Sequence, residues 1–323
     1  MHPLTVIRAM CIAVGLAVAS CAAISQSYPA RPIRMVVPFP PGSGTDVAAR
    51  TLGQYLSTSL GQPVVVDNKP GAGGSIGAMD VVRAAPDGYT LLFGSSSTLA
   101  ANVSLLKNMP YDPTKDLSAV AGVADSVTAL IVKSDFPAKT LPEFIAYVKS
   151  RPGKINGGYG SSSTQMAVAL LNKHAGLDVV GVPYKGTPLA VTDLLAGTID
   201  FTFADLGNIM PHVRAGTVRG IGLTTPKRSA MVPEWPPMAD TLSGFDDITG
   251  WIAIAGPPGL PKDIAEKIAA AVATGLQQAD VRSKLALFGL SPMPMNPDQL
   301  KAFIASEIPK WGRMAKEAKI EPQ

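Results

Sequence analysis

The stretch VVPFPPGSGTDVAAR, residues 36–50, joins a short apolar run to a helical pattern through a loop rich in proline and glycine. Gly42 and Gly44 have access to backbone angles that are closed to other residues, and Thr45 or Asp46 is suited to cap the helix that follows. The N–H groups of a first helical turn, together with the helix dipole, attract anions. The stretch therefore predicts a strand, a turn and a helix, in which the turn either binds an anion or only caps the helix.

This loop does not match the common nucleotide-binding loops. It lacks the Gly-Lys-[Ser/Thr] that meets a terminal phosphate in a P-loop. Its Gly-Ser-Gly-Thr-Asp spacing also departs from the Gly-x-Gly-x-x-Gly of dinucleotide-binding folds. We therefore expect neither class of nucleotide at this turn.

Apolar, β-branched runs alternate with helical patterns along the 323 residues. Strands that alternate with helices form parallel, helix-covered sheets, so the pattern predicts an α/β fold with mostly parallel sheets. Proline-rich breaks suggest two lobes, the first from residues 28–125 and 250–323 and the second from residues 126–249, with a ligand cleft between them. The predicted strands are 33–37, 64–68, 90–94, 129–133, 178–184, 199–203, 218–223 and 251–256, and the helical patterns include 47–56 and 264–276.

Three further polar loops follow predicted strands or short apolar segments. They are GSSSTLAAN at 94–102, GGYGSSSTQ at 157–165 and VPYKGTP at 182–188. Hydroxyls and backbone N–H groups together can coordinate a carboxylate without a basic side chain. Each loop alone is an ordinary capped turn, but several at corresponding strand ends predict a shared binding site. Because the serine-rich loops contain no Lys or Arg, we expect their hydroxyls and backbone N–H groups to hold the anion. Lys185 is the one nearby cation.

Three aromatic residues and one acid stand beside these loops. Phe39, Tyr159 and Tyr184 would wall the apolar body of a ligand, and each taken alone would equally suit the core. Asp205 would accept hydrogen bonds from a ligand or cap a helix.

The sequence contains no arrangement typical of a catalytic or metal centre. Beyond the first 22 residues its histidines are His174 and His212, and neither adjoins the polar loops. Zinc-ligand spacing is missing, the serines have no evident His base, and no basic cluster suggests nucleic acid. We therefore expect no enzyme activity, no metal, no cofactor and no nucleic-acid partner.

Residues 1–22 are predicted to be an export signal, because Arg8 precedes an apolar run too short to span a bilayer. Val-Ala-Ser-Cys at 18–21 resembles a lipobox, in which Cys21 would carry a lipid. Ordinary cleavage after a small residue near Ala22 or Ala23 is the alternative. The second cysteine, Cys11, also lies in this leader, so the mature chain has no disulfide.

Six motifs occur in order along the chain: YPARPIRMVVPFPPGSGTDVAAR (28–50), VVVDNKPGAGGSIGA (64–78), APDGYTLLFGSSST (85–98), YDPTKDL (111–117), VPYKGTPLAVTDLLAGTIDFTF (182–203) and GPPGLP (256–261). With these motifs the sequence resembles the periplasmic substrate-binding proteins of tripartite tricarboxylate transporters, also called the Bug family. The resemblance implies a two-lobed Venus-flytrap fold that closes on a carboxylated solute. The sequence departs from the family pattern in two places. At 165–169 Gln-Met-Ala-Val-Ala replaces His-Leu-Ala-Gly-Glu, and the second loop carries GSSST in place of a version richer in Ala and Asn.

The resemblance also implies which residues bind the ligand. They are Phe39, Pro40, Gly42, Ser43, Gly44, Thr45 and Asp46 of the first loop, Ser95, Ser96, Ser97 and Thr98 of the second, Tyr159, Gly160, Ser161, Ser162, Ser163 and Thr164 of the third, Pro183, Tyr184, Lys185 and Gly186 of the fourth, and Asp205.

We therefore expect an exported, monomeric binding protein of the periplasm, lipid-anchored through Cys21 if the lipobox is used. It would capture a small organic carboxylate (a di- or tricarboxylate, an acidic amino acid or an aromatic acid) and deliver it to the permease subunits of a tripartite tricarboxylate transporter. Two alternatives stay open. One is a sensor that signals to a membrane receptor, and the other is an exported hydrolase that uses a serine from 95–97 or 161–163.

Overall fold

The computed structural model describes residues 28–245 and 248–322. The predicted export signal and Cys21 lie outside the described residues. Within them the chain forms two sheets flanked by helices, which confirms the predicted α/β class.

The first sheet has six strands in the order β11-β4-β10-β3-β1-β2. Strands β1 and β2 are parallel, as are β1 and β3, whereas β10 is antiparallel to both β3 and β4 and β11 is antiparallel to β4. The strands are β1 Ile33–Val37, β2 Val64–Asn68, β3 Thr90–Ser95, β4 Ser118–Ser126, β10 Gly250–Gly256 and β11 Leu290–Met295.

The second sheet has five strands in the order β7-β6-β8-β5-β9. Strand β6 is parallel to β7 and β8, and β5 is antiparallel to β8 and β9. The strands are β5 Thr128–Lys133, β6 Ile155–Tyr159, β7 Val179–Pro183, β8 Phe201–Asp205 and β9 Val218–Leu223.

Ten α-helices are found in the described residues: α1 Gly44–Leu60, α2 Ser75–Val82, α3 Asn102–Leu105, α4 Leu141–Lys149, α5 Ser162–Ala175, α6 Thr187–Ala196, α7 Leu206–Arg214, α8 Lys262–Gln277, α9 Ala279–Ala286 and α10 Pro297–Glu317. A short π-helical turn, Ser97–Ala101, precedes α3.

Helix α1 shows how local sequence builds the site. Its buried face is Ala48, Ala49, Leu52 and Leu56. The N-cap is Ser43, whose hydroxyl accepts a hydrogen bond from the N–H of Asp46 at 3.3 Å. The prediction of Thr45 or Asp46 as the cap was therefore wrong, because Ser43 is the residue that keeps the extended backbone a cap requires.

The sheets are mixed rather than mostly parallel as predicted. The chain passes from β4 of the first sheet to β5 of the second with only Val127 between them, and it returns through β10. A direct crossing without a covering helix leaves β5 and β10 antiparallel to their neighbours. The predicted strand 199–203 is also displaced, because β8 ends at Asp205.

Several predicted strands are confirmed at their predicted residues, among them β1, β2 and β9. Strands β4, β6 and β11 were not predicted. The strands of the first sheet come from residues 33–126 and 250–295 and those of the second from 128–223. The boundaries drawn between two lobes, at residues 125 and 250, remain a prediction.

Candidate functional site

Strand ends from both sheets meet around a small cavity of about 50 Å³. At roughly 10–15 Å³ per water molecule, this volume suits a carboxylate group rather than a whole organic acid. The lining residues are mostly small and polar. They are Phe39, Ser43, Gly44, Thr45, Ser95, Ser96, Ser97, Ser126, Gly160, Ser161, Ser163, Thr187, Asp205, Gly250, Trp251, Ile252 and Leu290.

Four helices begin at this cavity. Helix α1 begins at Gly44, α6 begins at Thr187, and α5 begins between the lining residues Ser161 and Ser163. The N-cap of the fourth helix, α7, is Asp205, which also lines the cavity. Because the first N–H groups of a helix lack partners within it and its dipole is positive at that end, the cavity attracts negative charge.

Hydroxyl groups connect the two sheets across the cavity. The Ser96 and Ser163 Oγ atoms are 3.0 Å apart, and the N–H of Ser162 donates to Ser97 Oγ at 3.2 Å. The Ser162 hydroxyl donates to Asn102 Oδ1. Asn102 is fully buried. These bonds join the second and third predicted loops into one wall.

Among the described lining residues, Asp205 is the single ionisable side chain, and none is Lys, Arg or His. Its Oδ1 accepts hydrogen bonds from Ser126 Oγ at 3.2 Å and Thr128 Oγ1 at 3.1 Å. Burial raises the pKa of Asp205 above its ordinary range, although these two hydroxyls favour the ionised form. Ser126 ends β4 and Thr128 begins β5, so Asp205 also bridges the crossing between the sheets.

Trp251 forms an apolar part of the cavity wall, and a hydrogen bond to helix α10 fixes its indole ring. Its indole N–H donates to Glu307 Oε2 at 2.9 Å, and the indole N–H of Trp311 donates to the same oxygen at 3.1 Å. Lys310 Nζ lies 3.2 Å from the other oxygen, Glu307 Oε1. Helix α10 thereby fixes the position of one cavity residue.

A second, larger pocket of about 420 Å³ lies beside the cavity and shares Phe39, Gly160 and Ser161 with it. Its volume is typical of a small-molecule site. The Tyr184 hydroxyl donates to Asp193 Oδ2 at 2.7 Å, and burial together with this bond raises the pKa of Tyr184 to about 12. The other lining residues are Ala72, Gly73, Leu105, Leu106, Tyr159, Ser162, Gln165, Pro183, Tyr184 and Lys185.

The structure therefore divides the predicted site residues between two neighbouring pockets. Phe39 and the first three loops line the small cavity, while Tyr159, Ser162 and the fourth loop line the larger pocket. The serines of the hydrolase alternative bond to one another and to Asn102, as described above, rather than to His174 or His212.

Six predicted residues line neither pocket and instead support the loops. Asp46 accepts hydrogen bonds from Gly42 N–H and from Arg50, and Thr164 Oγ1 accepts them from the N–H groups of Gly160 and Ser161. Thr98 is fully buried, and its Oγ1 accepts from the N–H of Ser95. Pro40 and Gly186 touch each other, since a Cβ on Gly186 would lie 2.4 Å from Pro40 Cγ. The six are Pro40, Gly42, Asp46, Thr98, Thr164 and Gly186.

Several lining residues were not predicted. In the small cavity they are Ser126, Thr187, Gly250, Trp251, Ile252 and Leu290, and in the larger pocket they are Ala72, Gly73, Leu105, Leu106 and Gln165. Thr187 had a local signal, because it follows Gly186 in the fourth loop. Leu290 lay in a strand that was not predicted, and Ser126, Gly250 and Trp251 reach the cavity through the crossing strands.

In residues 28–245 and 248–322 no helix combines the length and apolar character that a membrane crossing requires. The same ranges contain no group of three or more His, Cys, Asp or Glu side chains placed to hold a metal ion.

Residues 48–320 match the model of a family described as tripartite tricarboxylate transporter family receptor. The chain belongs to this receptor family. It is 37% identical over 298 residues to Protein BugT of Bordetella pertussis, and the match covers 91% of each chain. These findings confirm the resemblance inferred from the six motifs.

Two similar proteins have been solved together with a carboxylate. One, from R. palustris, was solved with adipate and is 30% identical to this receptor, with a TM-score of 0.88 and coverage of 92% of this chain and 100% of that one. The other, MatC from Rhodopseudomonas palustris with bound malate, is 34% identical, with a TM-score of 0.84 and coverage of 89% and 99%.

The receptor family consists of periplasmic binding proteins, and their two-lobed fold is the fold of this chain. This confirms the predicted Venus-flytrap architecture. It also shows that the chain is a solute-binding protein rather than an enzyme, so the serine hydrolase alternative was wrong.

Proposed function

We propose that this receptor captures a small organic carboxylate, with the carboxylate in the small cavity and the body of the ligand in the larger pocket. One observation carries the proposal: four helix N-termini and a set of hydroxyls converge on a cavity without a basic side chain among its described lining residues. Such donors suit an anion small enough to enter the cavity.

The pockets also suggest the shape of the ligand. Because they share Phe39, Gly160 and Ser161, a molecule that fills both must pass these residues. Phe39 and Tyr184 offer apolar surface to the ligand body, and Gln165 offers an amide. The relatives solved with malate and adipate support a dicarboxylate class.

We further propose that the receptor works as a monomer in the periplasm and delivers its ligand to the permease subunits of a tripartite tricarboxylate transporter. Its family membership supports this partner. A pull-down with solubilised inner-membrane proteins should recover such a permease. Recovery of a membrane sensor in its place would favour the sensing alternative.

The form of the mature N-terminus is a separate proposal. Val-Ala-Ser-Cys at 18–21 supports a lipid on Cys21. Mass spectrometry of the exported protein should find an acylated N-terminal cysteine. An unmodified terminus that begins after Cys21 would show ordinary cleavage.

Isothermal titration calorimetry with malate, adipate, citrate, glutamate and benzoate tests ligand binding. Thermal unfolding in the same acids should show a midpoint that rises with concentration, because a ligand that binds only the folded state stabilises it by mass action. We expect at least one of these acids to bind. If none binds and none raises the midpoint, the proposed function is wrong.

A further inference from the structure

The cavity proposed to hold a carboxylate already contains one. Asp205 lies in its wall, and its Oδ1 is occupied by the hydroxyls of Ser126 and Thr128. Its Oδ2 faces Gly44, since a Cβ built on Gly44 would lie 3.7 Å from that oxygen. The second oxygen of Asp205 is therefore close to the N-terminus of α1.

A ligand carboxylate on the first turn of α1 would meet Asp205 directly. An oxygen that accepts a hydrogen bond from the N–H of Gly44 or Thr45 lies about 2.9 Å from that nitrogen. Asp205 Oδ2 lies 3.7 Å from the position of a Cβ on Gly44, so this ligand oxygen and Oδ2 would be neighbours in the cavity. Two ionised carboxylates this close, without water between them, repel each other strongly, and one of them takes up a proton.

Charged groups on the neighbouring elements do not relieve this repulsion. Asp46 of α1 is held by Arg50 and Asn68, and Asp193 of α6 accepts from Tyr184. Asp125 precedes Ser126 on β4, so its side chain points to the opposite face of the sheet. The other titratable or charged groups of the packed elements lie away from the cavity along their elements, namely Tyr55 of α1, Lys133 of β5, Lys173 and His174 of α5, and His212 and Arg214 of α7. Tyr159 of β6 and Lys185, in the loop before α6, line the larger pocket.

Resting on the proposed function, we propose that the ligand carboxylate and Asp205 bind as an acid pair that shares one proton. The proton comes from solvent, sits between one oxygen of each group, and leaves the pair with a single negative charge facing the helix N-termini. The raised pKa of Asp205 that burial causes already favours its protonation. Because Oδ2 lies beside Gly44, the first residue of α1, a carboxylate bound at that helix N-terminus, rather than an amino group elsewhere on the ligand, is the group that contacts Asp205.

Calorimetry tests this directly with whichever acid of the panel binds most tightly. Titrations at several values between pH 6 and 9, in buffers of different ionisation enthalpy, should show proton uptake that approaches one proton for each molecule bound once the pH exceeds the pKa of Asp205 in the free protein. The affinity should fall by up to about tenfold for each pH unit above the pKa of Asp205 in the free protein, because binding is coupled to one proton. Binding without proton uptake at every pH of this series, with an affinity that does not fall as the pH rises, would overturn the inference and leave the proposed function standing.

The variant Asp205→Asn provides a second test, because the Asn amide can donate a hydrogen bond to the ligand carboxylate in place of the shared proton. We expect this variant to bind the same acid without proton uptake and with an affinity that changes less than threefold between pH 6 and 8. Asp263→Asn, at an exposed carboxylate in the first turn of α8, is the control and should keep the wild-type pH dependence. A folded Asp205→Asn protein that loses binding would overturn the inference, since Asp205 would then be needed as an anion. If no acid of the panel binds, the proposed function fails, and this inference fails with it.

Discussion

Replacing Gly44 by Ala should separate ligand binding from stability. Gly44 is the first residue of α1, and its backbone is not in the left-handed region that favours glycine. A Cβ there would find Asp205 Oδ2 at 3.7 Å, which is an ordinary van der Waals contact. The folded protein without ligand therefore has room for the methyl group.

The methyl group would occupy the space proposed for the ligand. Cα–Cβ bonds of a helix tilt toward its N-terminus, so the new carbon projects into the cavity of about 50 Å³. A carboxylate displaced from the N–H groups of Gly44 and Thr45 loses two charge-assisted hydrogen bonds of roughly 1.5–3 kcal/mol each. A loss of about 3 kcal/mol corresponds to a dissociation constant raised by about a hundredfold or more.

Calorimetry with the tightest-binding acid and urea unfolding should be run on the same preparation. We expect the binding loss together with an unfolding free energy that is unchanged or higher by up to about 1 kcal/mol, because Ala has less freedom than Gly in the unfolded chain. Gly53→Ala is the matched control, since it lies in the same helix and its Cβ would be 3.5 Å from Val64 Cγ1. If Gly44→Ala binds as tightly as wild type, the carboxylate does not sit at the start of α1.

Three other changes test the remaining features. Thr45→Ala should weaken binding by about tenfold, near 1.4 kcal/mol. Lys185→Ala should weaken it less, because Lys185 is exposed and lines only the larger pocket. If calorimetry finds the larger loss in Lys185→Ala, the anion is held by a point charge. Glu307→Leu should lower the free energy of unfolding, measured in urea, by about 3 kcal/mol, because two buried indole N–H groups lose their acceptor. Glu307→Gln keeps an acceptor oxygen and should lower it by half as much or less. Equal losses in the two variants would contradict the role of Glu307 as the shared acceptor. Stability should also fall as the pH drops below about 4. Burial alone would raise the pKa values of Asp46 and Asp80, but hydrogen bonds and ion pairs with their basic and amide partners outweigh burial and hold both pKa values below the usual 3.8. The stability that these ionised acids provide is therefore lost as they are protonated, and urea titrations of Asp46→Asn should show a shallower decline with falling pH than those of wild type.

Much of the scaffold could be predicted because its signals are local. The apolar runs at 33–37, 64–68 and 218–223 are strands at those residues. The polar loops after β1, β3 and β6 each precede a helical element, and Ser43 and Ser161 act as N-caps through bonds to residues three positions away. A capped turn depends only on a few neighbouring residues, so the turn before α1 could be predicted, although its cap is Ser43 and not the predicted Thr45 or Asp46.

The direction of strands β5 and β10 could not be read in the same way. Alternating strands and helices predicted parallel pairing, yet both strands carry the chain between the sheets and run antiparallel to their neighbours. Their apolar sequences suit either direction, because a strand buried on both faces looks the same whichever way it pairs.

The sequence by itself determined the family, the α/β class and the polar loops that present N–H groups and hydroxyls, because each of these depends on residues close together in the chain. Tertiary structure alone decided that Ser126, Trp251 and Leu290 complete the cavity and that Asp205 faces Gly44 within it. These contacts join residues more than 70 positions apart along the chain, and only the packing of the two sheets brings them together. The physical reason is that helix capping is a local hydrogen bond, whereas a cavity is the space that remains when distant surfaces meet.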